Sequence, residues 1–428
     1  MKSSKYNYCI EKTGSFLFFN GISHSYFEVN NFQKEAIEQL LLEPYKYKNL
    51  IPTLFNKLYT ACFIVDDSTD EIEIIREKNH QSINKKDYML IIMPTLDCNF
   101  SCWYCFQNHY SSKMSPDIIK RVKKHINNMV LVERIESLQI EWFGGEPFMN
   151  FHIVKEITSY AKQLCDKENV QFFSSATTNA FFINHVMAKD MQLLNFKQFQ
   201  ITLDGDRERH NKVKVSKNVS SFDATLNNIN TLIKYIPDVT ILLRINYDEK
   251  NLNPNKITEQ INQILLSENR NKVKIFFRRI WQINTFAGAN VLIKKCEGLL
   301  KLNGYTCSPS EIQINYLPCY ESRKYYNTIN FDGSILKCTA DKDSIDKPKG
   351  FLQPDGSISW NKDFDLESHL MPLYENDFCL KCKHLPICMG PCSKNIDVID
   401  KSSLNTICTK AQDLTVNERI ISYCENFK

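Results

Sequence analysis

Cys98-Asn99-Phe100-Ser101-Cys102-Trp103-Tyr104-Cys105 is the stretch from which this sequence is best read. It follows the apolar run 89–93 (Met-Leu-Ile-Ile-Met), which has the composition of a buried strand. Three thiols within eight residues can wrap one face of a metal cluster. Three ligands neither close a tetrahedral zinc site nor saturate a cubane iron–sulfur cluster, which takes four. The loop therefore leaves one iron open, unless a fourth ligand such as His109 completes a structural zinc knuckle.

Downstream the period alternates. Extended segments at 138–143, 170–176, 199–203, 240–246 and 274–281 are separated by helical stretches at 115–130, 151–165, 184–194, 222–235 and 255–266. With 89–93 that makes six strands alternating with helices. The expected fold class is α/β, with a parallel sheet that is open or curled into a partial (β/α)6 barrel. Catalytic groups in such folds sit at the carboxyl ends of the strands, where the cysteine loop lies.

Upstream, residues 1–85 hold no cysteine cluster. Aromatic and β-branched runs at 6–10, 16–19 and 26–29, punctuated by Gly14 and Asn20-Gly21, read as a small meander. Apolar stripes at 32–42 and 51–58 read as helices, followed by a short strand at 63–65 and a charged helix at 70–78. This is a small winged-helix-like α+β module, either a recognition element or a cap on the body that follows. The expected domains are therefore 1–85, a core at 86–284, and a linker helix with a cysteine-rich region at 285–428.

At 428 residues and 50.0 kDa the chain has room for two or three domains. Hydrophobic residues at 43% and charged residues at 24% exclude a disordered or fibrous chain. A net charge of +4 gives no electrostatic case for nucleic-acid binding. No run of about 18 apolar residues marks a membrane span. The polar N-terminus lacks the apolar segment of a secretion signal, so a cytoplasmic protein is expected. Sixteen cysteines in such a chain point to metal or redox chemistry rather than disulfides.

Nine of the sixteen lie beyond Thr306. Cys319 is followed by thirteen residues, Gly333, four residues and Cys338. Then comes Cys379-X2-Cys382-X5-Cys388-X3-Cys392, a gap of fifteen, and Cys408. Seven ligands fall one short of two cubanes, and Cys307, twelve residues before Cys319, is a candidate eighth. Two zinc sites are the alternative, since CX2C pairs are common zinc knuckles. Cys9, Cys62, Cys165, Cys296 and Cys424 stand among apolar or helical neighbours and read as core or surface thiols.

The CX3CX2C loop, with Tyr104 before its third cysteine, resembles that of the radical S-adenosylmethionine (SAM) superfamily. Trp142-Phe143-Gly144-Gly145-Glu146-Pro147, at the end of the second strand, matches that family's GGEP motif, which touches the SAM amino group. The glycines would let backbone approach the ligand, and Glu146 would offer a carboxylate to an ammonium. Thr178-Asn179 after the third strand, Thr202 and Asp204 on the fourth, and Arg244 on the fifth stand where the family contacts SAM. Simple strand-end polarity accounts for these equally well.

The seven-cysteine array resembles the SPASM extension of peptide-modifying radical SAM enzymes. The resemblance covers about residues 88–428. It implies three [4Fe-4S] clusters: a catalytic one on Cys98, Cys102 and Cys105, and two auxiliary ones. Cys319, Cys338, Cys392 and Cys307 would hold the first auxiliary cluster, and Cys379, Cys382, Cys388 and Cys408 the second. It further implies a ribosomally made precursor peptide as substrate, its leader added as a strand to the N-terminal meander. A reductant such as flavodoxin or ferredoxin would supply electrons, and the expected product is a thioether or carbon–carbon crosslink. Two alternatives stand beside this. One is a maturase that oxidises a sulfatase Cys or Ser; those enzymes place an aspartate after the cysteine matching Cys338, where this chain has Thr339. The other is a non-catalytic iron–sulfur scaffold.

Overall fold

The computed structural model describes residues 1–109, 111–283, 286–307, 319–340, 347–392 and 416–426. The chain divides into two compact units. One comprises Met1–Lys85, Glu311–Lys324 and Leu370–Lys428; the other comprises Lys86–Ser310 and Tyr325–His369.

The first unit begins with β1 (Lys2–Ser3), β2 (Asn7–Lys12), β3 (Ser15–Asn20) and β4 (Tyr26–Val29). It continues through α1 (Asn31–Leu42), α2 (Pro44–Leu50), α3 (Pro52–Thr60), β5 (Ile64–Val65) and α4 (Glu71–Asn84). β2, β3 and β4 form an antiparallel meander in which Tyr8 faces Phe19, Ile10 faces Leu17 and Phe18 faces Phe27. Gly14, at φ +79°, supplies the left-handed residue of the first hairpin. Asn30 and Gln33 close a reciprocal capping box at the start of α1. Phe18 packs against Ile37, Leu40, Phe55, Leu58 and Phe63, so the helices cover one face of the meander.

The second unit alternates strand and helix: β6 (Asp87–Ile92), α5 (Pro116–Leu131), β7 (Ser137–Trp142), α6 (Phe151–Glu168), β8 (Gln171–Thr178), α7 (His185–Leu193) and β9 (Phe196–Leu203). There follow α8 (Arg207–Val213), α9 (Ser221–Tyr235), β10 (Thr240–Tyr247), α10 (Pro254–Ile264), β11 (Val273–Arg279), α11 (Ala289–Leu302) and β12 (Thr306–Cys307). Helix starts follow local chemistry: Ser115, Asn184, Ser220 and Asn253 each accept hydrogen bonds from the first turn they precede. Strands β6 to β12 are parallel and neighbour one another in chain order. β13 (Tyr326–Ile329) then pairs in parallel with the far side of β6, and β14 (Ser334–Leu336), β15 (Gly350–Leu352) and β16 (Ile358–Trp360) add on antiparallel. The order runs without closing among the described residues, so this is a partial barrel. The stretch after Tyr325 thus extends the barrel's own sheet.

Each central strand alternates. Leu138, Ile140 and Trp142 of β7, Phe199, Ile201 and Leu203 of β9, and Ile241, Leu243 and Ile245 of β10 are fully buried in the core with the helices. The intervening residues turn to the other face, which carries the site.

The chain passes through α12 (Leu366–Leu370) and returns to the first unit with α13 (Asp377–Lys381), α14 (Leu385–Cys388) and α15 (Val416–Asn426). Ile420 and Cys424 of α15 pack on Tyr8, Ile10, Leu17 and Phe19, the meander's second face. Leu385 and Met389 join Tyr6, Ile22 and Ile75 in another small core. The N-terminal stretch therefore shares its cores with the C-terminal segment. Among the described residues, no helix is long and apolar enough to cross a membrane.

Candidate active site

The loop after β6 is held by its own polar side chains. Thr95 Oγ1 donates to the Ser112 carbonyl at 2.6 Å, Ser112 Oγ accepts from the Leu96 amide at 2.8 Å, and Asp97 accepts from the Cys98 amide at 2.9 Å. Cys98, Cys102 and Cys105 open from it onto one cavity of about 180 Å³ at the carboxyl ends of β7 to β10. His109 lies on the same wall, its Nε2 at 3.2 Å from Cys105 Sγ. Burial pushes the Cys98 thiol up to about 12.

Gly144 and Gly145 lock this loop in place. A Cβ on Gly144 would stand 2.3 Å from the Thr95 carbonyl oxygen, and one on Gly145 would stand 2.1 Å from that of Asp97. The Gly145 and Glu146 amides donate to those carbonyls at 3.2 and 2.8 Å. The close approach that the glycines permit is thus backbone to backbone, onto the cysteine loop, while both residues also border the cavity. Glu146 is 1% exposed and does not line the cavity. Its carboxylate accepts from Thr178 Oγ1 at 2.7 Å and from the amides of Asn179 and Phe148 at 2.8 and 3.1 Å. Burial raises its pKa to about 7 against the pull of those bonds. Asn179, on the cavity wall, ties back to Asn99 Oδ1 at 2.8 Å. Glu146, Thr178 and Asn179 therefore brace the β7 and β8 strand ends against the cysteine loop.

A second network centres on Asp204, which is fully buried behind the wall. It accepts short hydrogen bonds from Tyr104 Oη and Lys214 Nζ, and Asn246 Nδ2 donates to Tyr104 Oη at 3.0 Å. Burial alone would raise the Asp204 pKa, but Lys214, His210 and the Tyr104 bond outweigh it and hold the carboxylate ionised. Asp204 thereby fixes Tyr104, the residue before the third cysteine, while Tyr104, Lys214 and Asn246 present themselves to the cavity. Thr202 and Arg244 share that wall. Among the described residues Arg244 donates one hydrogen bond, to the neutral Asn246 amide oxygen at 2.8 Å, and burial with the nearby Arg278 lowers its pKa to about 10. Aromatic rings close the rim, with Phe106 stacked on Trp281 at 6.0 Å between centroids.

Two of these residues were not singled out in the sequence. Lys214 follows a short charged helix with no apolar stripe to draw attention to it, and Trp281 closes a strand run. Asn246 belongs to the Arg244-Ile245-Asn246 strand end, whose segment resembles one that faces the cofactor.

Among the remaining cysteines, Cys379 lies on α13, Cys382 directly after it and Cys388 at the end of α14; burial first, with smaller contributions from Cys388 and Cys382, raises the Cys379 pKa. Cys319 precedes a single 3-10 turn, and Cys338 lies two residues beyond β14. Cys408 is outside the described residues. Cys307 is 2% exposed. It pairs in register with Ile275 and so shares that residue's helix-facing side, its thiol 3.7 Å from the Glu297 carbonyl of α11.

Residues 92–251 match the family model described as the radical SAM superfamily. This stretch of the chain is a radical SAM domain.

The likenesses extend beyond that core. The radical SAM cyclopropyl synthase TigE of Paramaledivibacter caminithermalis is 23% identical over 406 residues, covering 78% of this chain and 82% of that protein. A cysteine-type anaerobic sulfatase-maturating enzyme of Clostridium novyi is 29% identical over 168 residues, 37% of this chain and 43% of that protein. An uncharacterized protein of Methanocaldococcus jannaschii is 30% identical over 116 residues, but the match spans only 38% of its length. Among solved structures, native anSMEcpe with bound AdoMet superposes with a TM-score of 0.55 at 17% identity, covering 79% of this chain and 100% of that one. Streptococcus suis SuiB bound to S-adenosylmethionine gives 0.52 at 15% identity, covering 96% and 100%. Both share the fold.

The residues of the radical SAM site fit the groups the superfamily binds. Three thiols open on one cavity, as a cluster with one free iron requires. The cavity wall adds a half-buried guanidinium with no carboxylate bound to it, a fit for the carboxylate of SAM, beside the hydroxyl of Thr202 and the amide of Asn179.

Proposed function

We propose that this enzyme is a maturase of the SPASM type that modifies a ribosomally made peptide in the cytoplasm and joins two of its residues. The observation that carries the reading is the shared cavity. Cys98, Cys102 and Cys105 line one side and Thr202, Lys214, Arg244 and Asn246 the other, at the carboxyl ends of parallel strands. A cluster held by Cys98, Cys102 and Cys105, with SAM beside it, would supply the radical chemistry that removes hydrogen from a substrate carbon. The chain's own residues do the rest. Tyr104, fixed by Asp204, seats the cysteine loop; Arg244 and Thr202 orient the SAM carboxylate; Glu146, Thr178 and Asn179 keep the strand ends from parting; the aromatic rim excludes water.

The near-full-length likeness to a cyclopropyl synthase favours a carbon–carbon bond over a thioether. Cys319, Cys338 and Cys392 are assigned to one auxiliary cluster, and Cys379, Cys382, Cys388 and Cys408 to the other. Cys307 would have to leave its place against α11 to join the first, and is not assigned to it. A flavodoxin- or ferredoxin-type donor supplies electrons. Among the described residues the meander has three strands and both its faces are covered, an arrangement that suits a leader peptide added as a strand.

The partial likeness to a sulfatase-maturating enzyme supports a second reading, oxidation of a protein side chain. Thr339 after Cys338 weighs against it. Co-expression with short peptides encoded beside this gene, followed by mass spectrometry, separates the two. Loss of two hydrogens with a new crosslink supports the first; an unmodified peptide and a formylglycine-bearing sulfatase would overturn it. Reconstituted protein should hold about twelve irons, four per cubane.

A further inference from the structure

The inner face of the partial barrel is polar where a packed barrel would be aliphatic. Inward positions of closed barrels are filled with branched apolar side chains, and parallel strands buried on both faces read as continuous apolar runs. Here β7 turns Gln139 and Glu141 inward, β8 Ser175 and Thr177, and β9 Gln200. Gln139, Glu141, Thr177 and Gln200 are partly accessible, unlike the alternate residues that face the helices, while Ser175 is buried. They also bond across the strands. Gln139 Nε2 donates to Ser175 Oγ at 3.1 Å, Thr177 Oγ1 donates to Glu141 Oε1 at 3.1 Å, and Gln200 Nε2 lies 3.5 Å from Thr177 Oγ1.

Glu141 stands out in this set. Its one hydrogen bond comes from Thr177, a residue of the cavity wall, and it forms no ion pair among the described residues. Among the described residues its second carboxylate oxygen accepts no hydrogen bond. A half-buried carboxylate with one neutral donor and no cation keeps the capacity to take a further donor. Burial also raises its pKa, in keeping with a site that lacks a partner of its own.

We propose that Glu141 is a substrate anchor: Thr177 fixes its carboxylate, and its free oxygen accepts a hydrogen bond from an N–H, O–H or ammonium group of the peptide held beside the cavity. This rests on the peptide-substrate reading above. It deepens that reading by making the segment that enters the barrel polar and donor-bearing beside the modified carbon.

The test uses the full-length reconstituted enzyme and the peptide encoded beside its gene. For Glu141→Ala the peptide KM should rise about tenfold, the scale of one hydrogen bond to a charged group, while SAM binds as tightly as to the wild type. Glu141→Gln, which keeps one acceptor, should lie between, and Thr177→Val should raise KM by about threefold. If Glu141→Ala assembles poorly, as judged by iron content, Glu141→Gln carries the measurement alone. A peptide KM unchanged in these variants while the wild type crosslinks the peptide overturns the anchor and leaves the function standing. A fall in SAM affinity equal to the rise in KM also overturns it, placing Glu141 on the cofactor side. A wild type that leaves the peptide untouched overturns the function and the anchor with it.

Discussion

Lys214 and Asp204 form a buried pair in which either partner alone is costly. Lys214→Met should lower unfolding free energy by about 3–5 kcal/mol, because it strands a buried carboxylate, and Asp204→Asn in the same chain should recover part of that loss. Denaturant titration of the single and double variants reads both. Gly145→Ala places a methyl against the Asp97 carbonyl, so the cysteine loop must shift. The expected result is loss of about four irons from reconstituted protein, those of the catalytic cluster, with the rest retained. Cys307→Ala should leave the iron content unchanged, whereas Cys338→Ala should lower it. Glu146 gives a pH dependence. Its folded pKa, about 7, lies above the ordinary 4.5. Its protonated form is therefore favoured by folding, and this contribution is complete below about pH 4.5 and lost as pH rises through about 7. The stability of the wild type relative to Glu146→Gln should fall across that window in thermal melts at stepped pH.

At the scale of elements, the six central strands and five of the intervening helices were legible because each is long enough to show its period. Strand 240–246 and helix 115–130 reappear within a residue or so as β10 and α5. What was not legible is short or lacks a stripe. α8 reads Arg-Glu-Arg-His-Asn-Lys-Val and buries only His210 and Val213. β13 to β16 have three or four residues each, too few to display alternation, so their attachment to β6 could not be foreseen. The candidate site was legible in its cysteines, its glycine pair and its strand-end polar residues. Lys214 and the inward side chain of Glu141 were hidden, because one depends on the path of α8 and the other on which way β7 turns. α15 carries its own prediction. Ending the chain after residue 415 removes Ile420 and Cys424 and bares Tyr8, Ile10, Leu17 and Phe19. The truncated protein should bind a hydrophobic dye such as ANS, which the full chain should not.

For the whole molecule, the decisive fact is that the first unit is assembled from distant parts of the chain. Tyr6, Ile22 and Ile75 close a core only with Leu385 and Met389, and the meander's second face only with α15. Residues 1–85 expressed alone should therefore lack a cooperative thermal transition, whereas they gain one when supplied with residues 370–428 in trans. Adding the missing piece tests this directly by circular dichroism.

That dependence also has a meaning in time. Translation delivers the N-terminal meander before Ile420, which follows the end of β4 by about 390 residues. Until then two of its aromatic-rich surfaces wait on a ribosome-bound chain, open to chaperones and to chance partners. The second face of the meander therefore closes only after Ile420 and Cys424 have been made.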